Sequence, residues 1–259
     1  MGAVFWCAGM FASGSTWVYN VMREIAALHA PPRPVTARFV NTRADMTGLD
    51  DTTARHVVKS HDLAEDTAAA LSAYASALVV TIRDPRDAVT SLMLYQRYPF
   101  HMAVETIAKS AHFVGGFAGD ARALLLRYED NFTDQPATID RIAAHLGMPL
   151  AAAERDRIFA ATRRQAVEGL ITALAGQPHT QHDKRTGNFF DPTTQWHKHH
   201  LGRTGEIGRW RRALTSAQAA AVDAALPDWM ARFGYPQAPK PPPIVTTATG
   251  YTLDLDKYR

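Results

Sequence analysis

Short apolar runs that stop at a glycine or a charge alternate with longer stretches of helical periodicity along most of this chain. Residues 4–7 are apolar and the run ends at Gly9, which predicts a buried strand. Small residues follow in FASGST. Trp17, Val21, Ile25 and Leu28 then recur at helical spacing, and PPRP after His29 must end that helix. The stretch up to about Arg55 is loosely patterned and predicts no element. HVVKSH reads as a short buried strand ending at Lys59, and EDTAAALSAYASA as an alanine-rich helix. ALVVTI is the strongest strand signal, a β-branched run stopped by RDP. DAVTSLMLYQRY continues as helix as far as Pro99, and another helix is expected over residues 102–117. ALLLRY is a further strand, and QPATIDRIAAHLGM a helix with a glycine near its end.

Residues 151–174 are helical again, and LTSAQAAAVDAAL is a late helix with Thr215 or Ser216 as its cap. Between them, residues 176–200 are polar, rich in Gly, Pro, His, Asn and Thr, and without periodicity; they read as a long loop or lid. The tail, PKPPPIVTTATGYTLDLDKYR, is expected to wrap the surface. Strands alternating with helices predict an α/β three-layer sandwich around a central, mostly parallel sheet. There is no internal repeat, so residues 1–259 read as one domain with a lid at 176–205 and an extended tail at 238–259. Ligands on such sheets bind beyond the carboxyl ends of the strands. The polar clusters SGST, KSH, RDPRD and RYED all directly follow apolar runs, so they are expected to meet at one edge.

Composition narrows the function classes. A formal net charge of +3 and a pI near 9.1 suit a small anionic ligand. No Lys/Arg block is long enough for a nucleic-acid arm, so no nucleic-acid partner is expected. Cys7 stands alone, which excludes an intrachain disulfide; it reads as a small buried hydrophobe and fits a reducing, cytoplasmic setting. MGAVFWCAGM has no positive stretch before its apolar run, and no apolar run reaches about 18 residues, so neither a signal peptide nor a transmembrane segment is expected.

GMFASGST, residues 9–16, fits the eight-residue spacing of a nucleotide phosphate loop, with Gly9 and Gly14 in place and a hydroxyl residue last. The position that holds lysine in an NTPase is Ser15, which argues against ordinary ATP or GTP hydrolysis. Backbone N–H groups of such a turn still cradle an anion, and Ser13, Ser15 and Thr16 offer hydroxyls. Taken alone, the glycine and hydroxyls also fit a plain cap for the following helix.

SGSTW with Asn20, then KSH, IRDPRDAVTS, RYED and GRTGEIGRWRRALT, in that order over residues 3–215, resemble the nucleotide-dependent sulfotransferase family, the bacterial small-molecule type most closely. The resemblance implies a P-loop-like turn and the donor 3'-phosphoadenosine-5'-phosphosulfate (PAPS), with no metal. It implies that Ser13, Gly14, Ser15 and Thr16 bind the 5'-phosphosulfate. Trp17 would pack on the adenine, with Tyr128 near its edge. Arg83, Ser91, Arg203 and Gly205 would hold the 3'-phosphate. The histidine of KSH, His61, matches the family's catalytic base, and a neutral imidazole suits removal of an acceptor proton. Lys59 is the side chain available to stabilise the leaving phosphate. The acceptor implied is a hydroxyl or amine of a small molecule, a sugar or a lipid, with residues 176–205 as an acceptor loop.

One position departs from the family pattern. The residue before SGS is usually basic, and here it is Ala12. Losing one preorganised donor of this kind costs about 3 kcal/mol of transition-state stabilisation. Lys59 or an arginine such as Arg33 is the expected substitute. Two other readings stay open on the sequence: a small-molecule kinase or hydrolase on the same loop architecture, and a catalytically impaired nucleotide-binding protein.

Overall fold

A computed structural model describes residues 3–30, 32–184, 187–202 and 205–238. Strands β1 (Ala3–Gly9), β2 (Val35–Phe39), β3 (Arg55–Ser60), β4 (Ala75–Ile82) and β5 (Ala123–Arg127) form a sheet of order β2-β3-β1-β4-β5. Every pairing in it is parallel. Parallel neighbours need crossovers, and the helices that provide them cover both faces.

The period of two along each strand divides the core. Val4, Trp6 and Ala8 of β1, with Leu78, Val80 and Ile82 of β4, face one side. There they pack on α2 (Glu65–Tyr74), α3 (Pro85–Gln96), α4 (Phe100–Phe117), α8 (Trp210–Ala213), α9 (Ser216–Ala225) and α10 (Pro227–Arg232). Phe5, Cys7, Ala77 and Val79 face the other. Their partners are α1 (Ser15–Leu28), α5 (Pro136–His145), α6 (Ala152–Thr162) and α7 (Arg164–Leu174). The result is the expected three-layer α/β sandwich. No helix among the described residues is long and apolar enough to cross a membrane.

Several expectations need correction. β2 lies in the stretch that showed no pattern, and all five of its residues are half-buried. A sheet-edge strand covered in part carries neither a clean alternation nor a continuous apolar run. Residues 75–77, expected to end the alanine-rich helix, begin β4, because Ala75 and Ala77 pair with Val4 and Phe5; sheet pairing overrides alanine's helix propensity. The expected single helix over 151–174 breaks at Arg163, which is extended with ψ 147°. The stretch 176–200 is not structureless. It holds an antiparallel hairpin of β6 (Gln181–Asp183) and β7 (Asn188–Phe190), then a 3-10 turn at Lys198–His200. Of the expected tail, residues 239–259 lie outside the described residues.

Candidate active site

β1 runs straight into the phosphate-loop segment. Gly9 is required there by close approach: an added Cβ would sit 2.2 Å from the Ser15 Cβ and 2.8 Å from the Thr81 hydroxyl. The turn needs left-handed backbone at Ala12 (φ 61°) and at Gly14 (φ 81°). Gly14 is also pressed against the rings of Phe132 and Tyr128, so its missing side chain serves both geometry and space. Ser13 is fully buried and holds the turn itself, donating to the Met10 carbonyl at 2.6 Å while its oxygen meets the Thr81 hydroxyl at 2.6 Å. α1 then starts at Ser15. Trp17 lies between α1 and α6, its indole N–H bonded to the Thr162 carbonyl and its ring tilted on Phe132.

β3 delivers Lys59 and His61 beside this turn. Lys59 pairs in register with Cys7 and is buried; its ammonium donates to the Thr16 hydroxyl at 2.8 Å. Burial lowers its pKa from 10.5 to about 8. The His61 ring stacks on Phe11 with centroids 4.3 Å apart, and its Nδ1 lies 2.7 Å from the Gly9 carbonyl. A carbonyl only accepts, so Nδ1 carries the proton and Nε2 keeps a lone pair. Burial first, then the Lys59 charge, push His61 well below its usual 6.5, while the Gly9 bond works the other way. Ser110 of α4 fastens this corner: its hydroxyl donates to the His61 carbonyl (2.8 Å) and accepts from the Phe11 amide (3.1 Å).

β4 and β5 supply the third side. Arg83 follows β4 and donates to the carbonyls of Ala12 and Glu206, both at 3.0 Å, with its guanidinium 4.2 Å from the Tyr128 ring centre. Ser91 follows nearly two turns into α3, just below the surface. Gly205 has φ 66°, and a Cβ there would lie 2.9 Å from the Tyr128 hydroxyl. The three sides meet at one cleft of about 1730 Å³, lined by Gly14, Ser15, Thr16, Trp17, Lys59, His61, Arg83, Ser91, Tyr128 and Gly205. The edge predicted from the polar clusters is therefore real. Ser13 is in the turn but does not line the cleft, and Arg203 lies outside the described residues.

A family model described as "Sulfotransferase domain" matches residues 101–234 of the 259, just over half of the chain. The chain belongs to the sulfotransferase family. The matched region begins after the phosphate turn, so the N-terminal motifs stand on their own geometry. A comparison with curated proteins finds no match. Among solved structures, this sulfotransferase is similar to mouse sulfotransferase SULT7A1 complexed with PAP, at 15% identity and a TM-score of 0.59, covering 88% of this chain and 84% of that one. It is also similar to retinol dehydratase with androsterone and the inactive cofactor PAP: 16% identity, TM-score 0.56, covering 88% and 80%. The same enzyme with retinol and PAP gives 15%, 0.58, 88% and 81%. At these identities the likeness is one of fold.

The sulfotransferase's other arginines sort by burial. Arg86 is fully buried: it bonds Asp84 and the Pro236 carbonyl and sits 4.0 Å from the Trp210 ring centre. Arg211 and Arg212 are exposed, as a solvated face should be. Arg33 cannot replace the cation missing at Ala12. It precedes β2, whose start is level with Arg55 and Ala3, so it sits at the opposite sheet edge, about 15–20 Å away. Lys59, bonded to the Thr16 hydroxyl, and Arg83, bonded to the Ala12 carbonyl, are cations that do reach the turn. Glu129 accepts from the Asp84 amide and the Tyr235 hydroxyl, and burial raises its pKa; these are structural contacts. Sequence reasoning missed Thr81, Ser110 and Asp87, because a lone hydroxyl in a strand or helix, or one acid in a helix's first turn, carries no periodic signal.

Proposed function

We propose that this sulfotransferase moves a sulfuryl group from PAPS to a hydroxyl or amine of a small-molecule, sugar or lipid acceptor, by in-line transfer with His61 as general base. The observation that carries this reading is the His61 tautomer: Nδ1 is tied to the Gly9 carbonyl, which leaves Nε2 as an acceptor in a cleft shared with the phosphate turn. The acceptor O–H or N–H gives its proton to Nε2 as its oxygen or nitrogen bonds to sulfur. The sulfur's bond to the bridging phosphate oxygen breaks, and 3'-phosphoadenosine-5'-phosphate (PAP) leaves. Charge grows on that oxygen, where the Lys59 ammonium and the amides at the start of α1 are the preorganised donors.

Arg83, Ser91, Gly205 and Arg203 are read as the 3'-phosphate subsite, and Trp17 and Tyr128 as the walls of the adenine site. Arginine suits a phosphate through its planar fork of donors. PAP in the similar solved structures supports this donor, and androsterone and retinol in the retinol dehydratase complexes support small-molecule acceptors. The hairpin segment within 176–205 contributes Gln181, Asn188, Phe190 and His197 to the cleft, which supports its reading as the acceptor loop of a single domain.

The test is single-turnover sulfuryl transfer from labelled PAPS to a panel of alcohols and amines. His61→Ala is expected to keep PAP affinity within about twofold and to slow the chemical step by roughly two to four orders of magnitude. Near-normal turnover in that variant would demote His61 to a structural histidine.

A further inference from the structure

Two motifs 120 residues apart, RDPRD and GEIGRW, are joined by one carboxylate. Asp87, in the first turn of α3, is 1% exposed. Its Oδ2 accepts from the Gly208 amide at 2.6 Å, and its Oδ1 from the Trp210 amide at 2.9 Å. Oδ2 also lies 3.7 Å from Arg83 Nη2, the nitrogen that donates to the Glu206 carbonyl. An acid at this point of a helix is favoured by the helix dipole alone. That effect would leave the carboxylate indifferent to its partners. Here both oxygens are committed to the loop, and the ring of Trp210 at its end lies under Arg86.

We propose that Asp87 is a positioning residue that builds the 3'-phosphate subsite by locking the 205–210 loop against Arg83. The inference rests on the donor reading above. Arg83 and the loop must both stand at fixed places to hold one phosphate, yet they come from distant parts of the chain. Asp87 is a buried carboxylate that meets both. Gly208 adopts φ 77°, the left-handed backbone that turns its amide and that of Trp210 toward α3. The carboxylate also balances the Arg83 charge while no anion is bound. Among the described residues, no hydrogen bond joins Asp87 to the turn at 13–16; its link to that turn runs through Arg83, which donates to the Ala12 carbonyl.

Asn is nearly isosteric but has only one acceptor oxygen; its NH₂ would face a backbone N–H, donor against donor. Asp87→Asn should therefore release one side of the loop and remove the charge beside Arg83. The experiment is calorimetric titration of wild type and Asp87→Asn with PAP and with AMP, which lacks the 3'-phosphate. The expected result is a loss of at least tenfold in PAP affinity, with AMP affinity changed less than twofold. A merely structural role would lower both together, and that result overturns the inference. A PAP preference that survives in the variant overturns it too, leaving the donor reading intact. Equal PAP and AMP affinity in the wild type removes the donor reading and this inference with it. Should the variant not fold, the wild type decides by hydrogen exchange. The Gly208 and Trp210 amides should be slowed by PAP and not by AMP, and equal protection overturns the proposal.

Discussion

At the scale of single residues, the proposed chemistry turns on two groups whose charges are shifted in the useful direction. His61 sits well below 6.5, so its neutral, basic form persists to lower pH than in a free imidazole. Lys59 sits at about 8, so its charge is lost on the alkaline side sooner than for an ordinary lysine. For an alcohol acceptor that does not itself titrate, kcat/KM should hold a plateau through neutral pH. Its acid limb should fall well below 6.5, and its alkaline limb near 8, since kcat/KM reports the free enzyme's ionisations. Lys59→Ala should lower the plateau and abolish the alkaline limb. An acid limb at 6.5 or above, or an alkaline limb unchanged in Lys59→Ala, would contradict this assignment. The sequence marked both residues, because KSH follows an apolar run. It could not show that His61 reaches back to the Gly9 carbonyl, or that Ser110 holds both loops: those contacts join segments 52 and 49 residues apart. Ala12 is legible as a departure in the chain, but its remedy is not. Arg33 was as plausible as Lys59 until the parallel register put it at the wrong end of the sheet.

The decisive element is the strand–turn–helix formed by β1, the 10–14 turn and α1. Gly9 has an ordinary strand conformation, so its role is space alone. Gly9→Ala would drive a methyl onto the Ser15 Cβ at 2.2 Å, and both atoms are fixed to backbone. Overpacking of this kind costs about 1–3 kcal/mol, and the turn must move to relieve it. The expected outcome is lower stability to urea together with at least a tenfold loss of PAP affinity. Wild-type PAP affinity in this variant would show that the turn does not shape the donor site. This unit, and β3 and β4, were legible because deeply buried strands read as apolar runs ended by glycine or charge; β5 is only partly buried and was legible because residues 123–126 are an unbroken apolar run stopped by Arg127. β2 and the β6–β7 hairpin were not. Their residues are only half-covered or exposed, and β6 consists of Gln181, His182 and Asp183. Such strands are held by backbone pairing and by neighbours elsewhere in the chain, which no local pattern records.

Over the whole molecule, the same helix that carries Ser91, proposed above for the 3'-phosphate, also fastens α9 and the segment at Pro236. Arg86 lies at the centre of that joint. It bonds both oxygens of Asp84 at 2.8 and 2.9 Å, faces Asp223 of α9 at 3.4 Å, donates to the Pro236 carbonyl at 2.8 Å and stacks on Trp210. Its partners therefore reach from the residue two places before it to one 150 places after it. Each charge here is buried, so the energetics are asymmetric. The intact cluster adds only modestly to stability, because desolvation offsets most of the attraction. Removing one member is different: in Arg86→Ala, the Asp84 and Asp223 carboxylates stay in place without their counter-charge. That change should cost about 3–5 kcal/mol of unfolding free energy. Arg86→Lys should fall between, since one ammonium cannot reproduce a planar fork bonded to two carboxylates and a carbonyl. Urea unfolding at neutral pH measures both, with an unchanged slope showing that the unfolded reference is the same. Because α3 also carries Asp87 and Ser91 and starts two residues after Arg83, PAP should recover part of the lost stability by mass action, and recover it in proportion to the logarithm of its concentration. A loss below about 1 kcal/mol in Arg86→Ala would mean that α9 and α10 are held by their apolar contacts alone, through Val222, Trp229 and Met230. The position of the 205–210 loop would then depend on Asp87 without help from the joint beneath it.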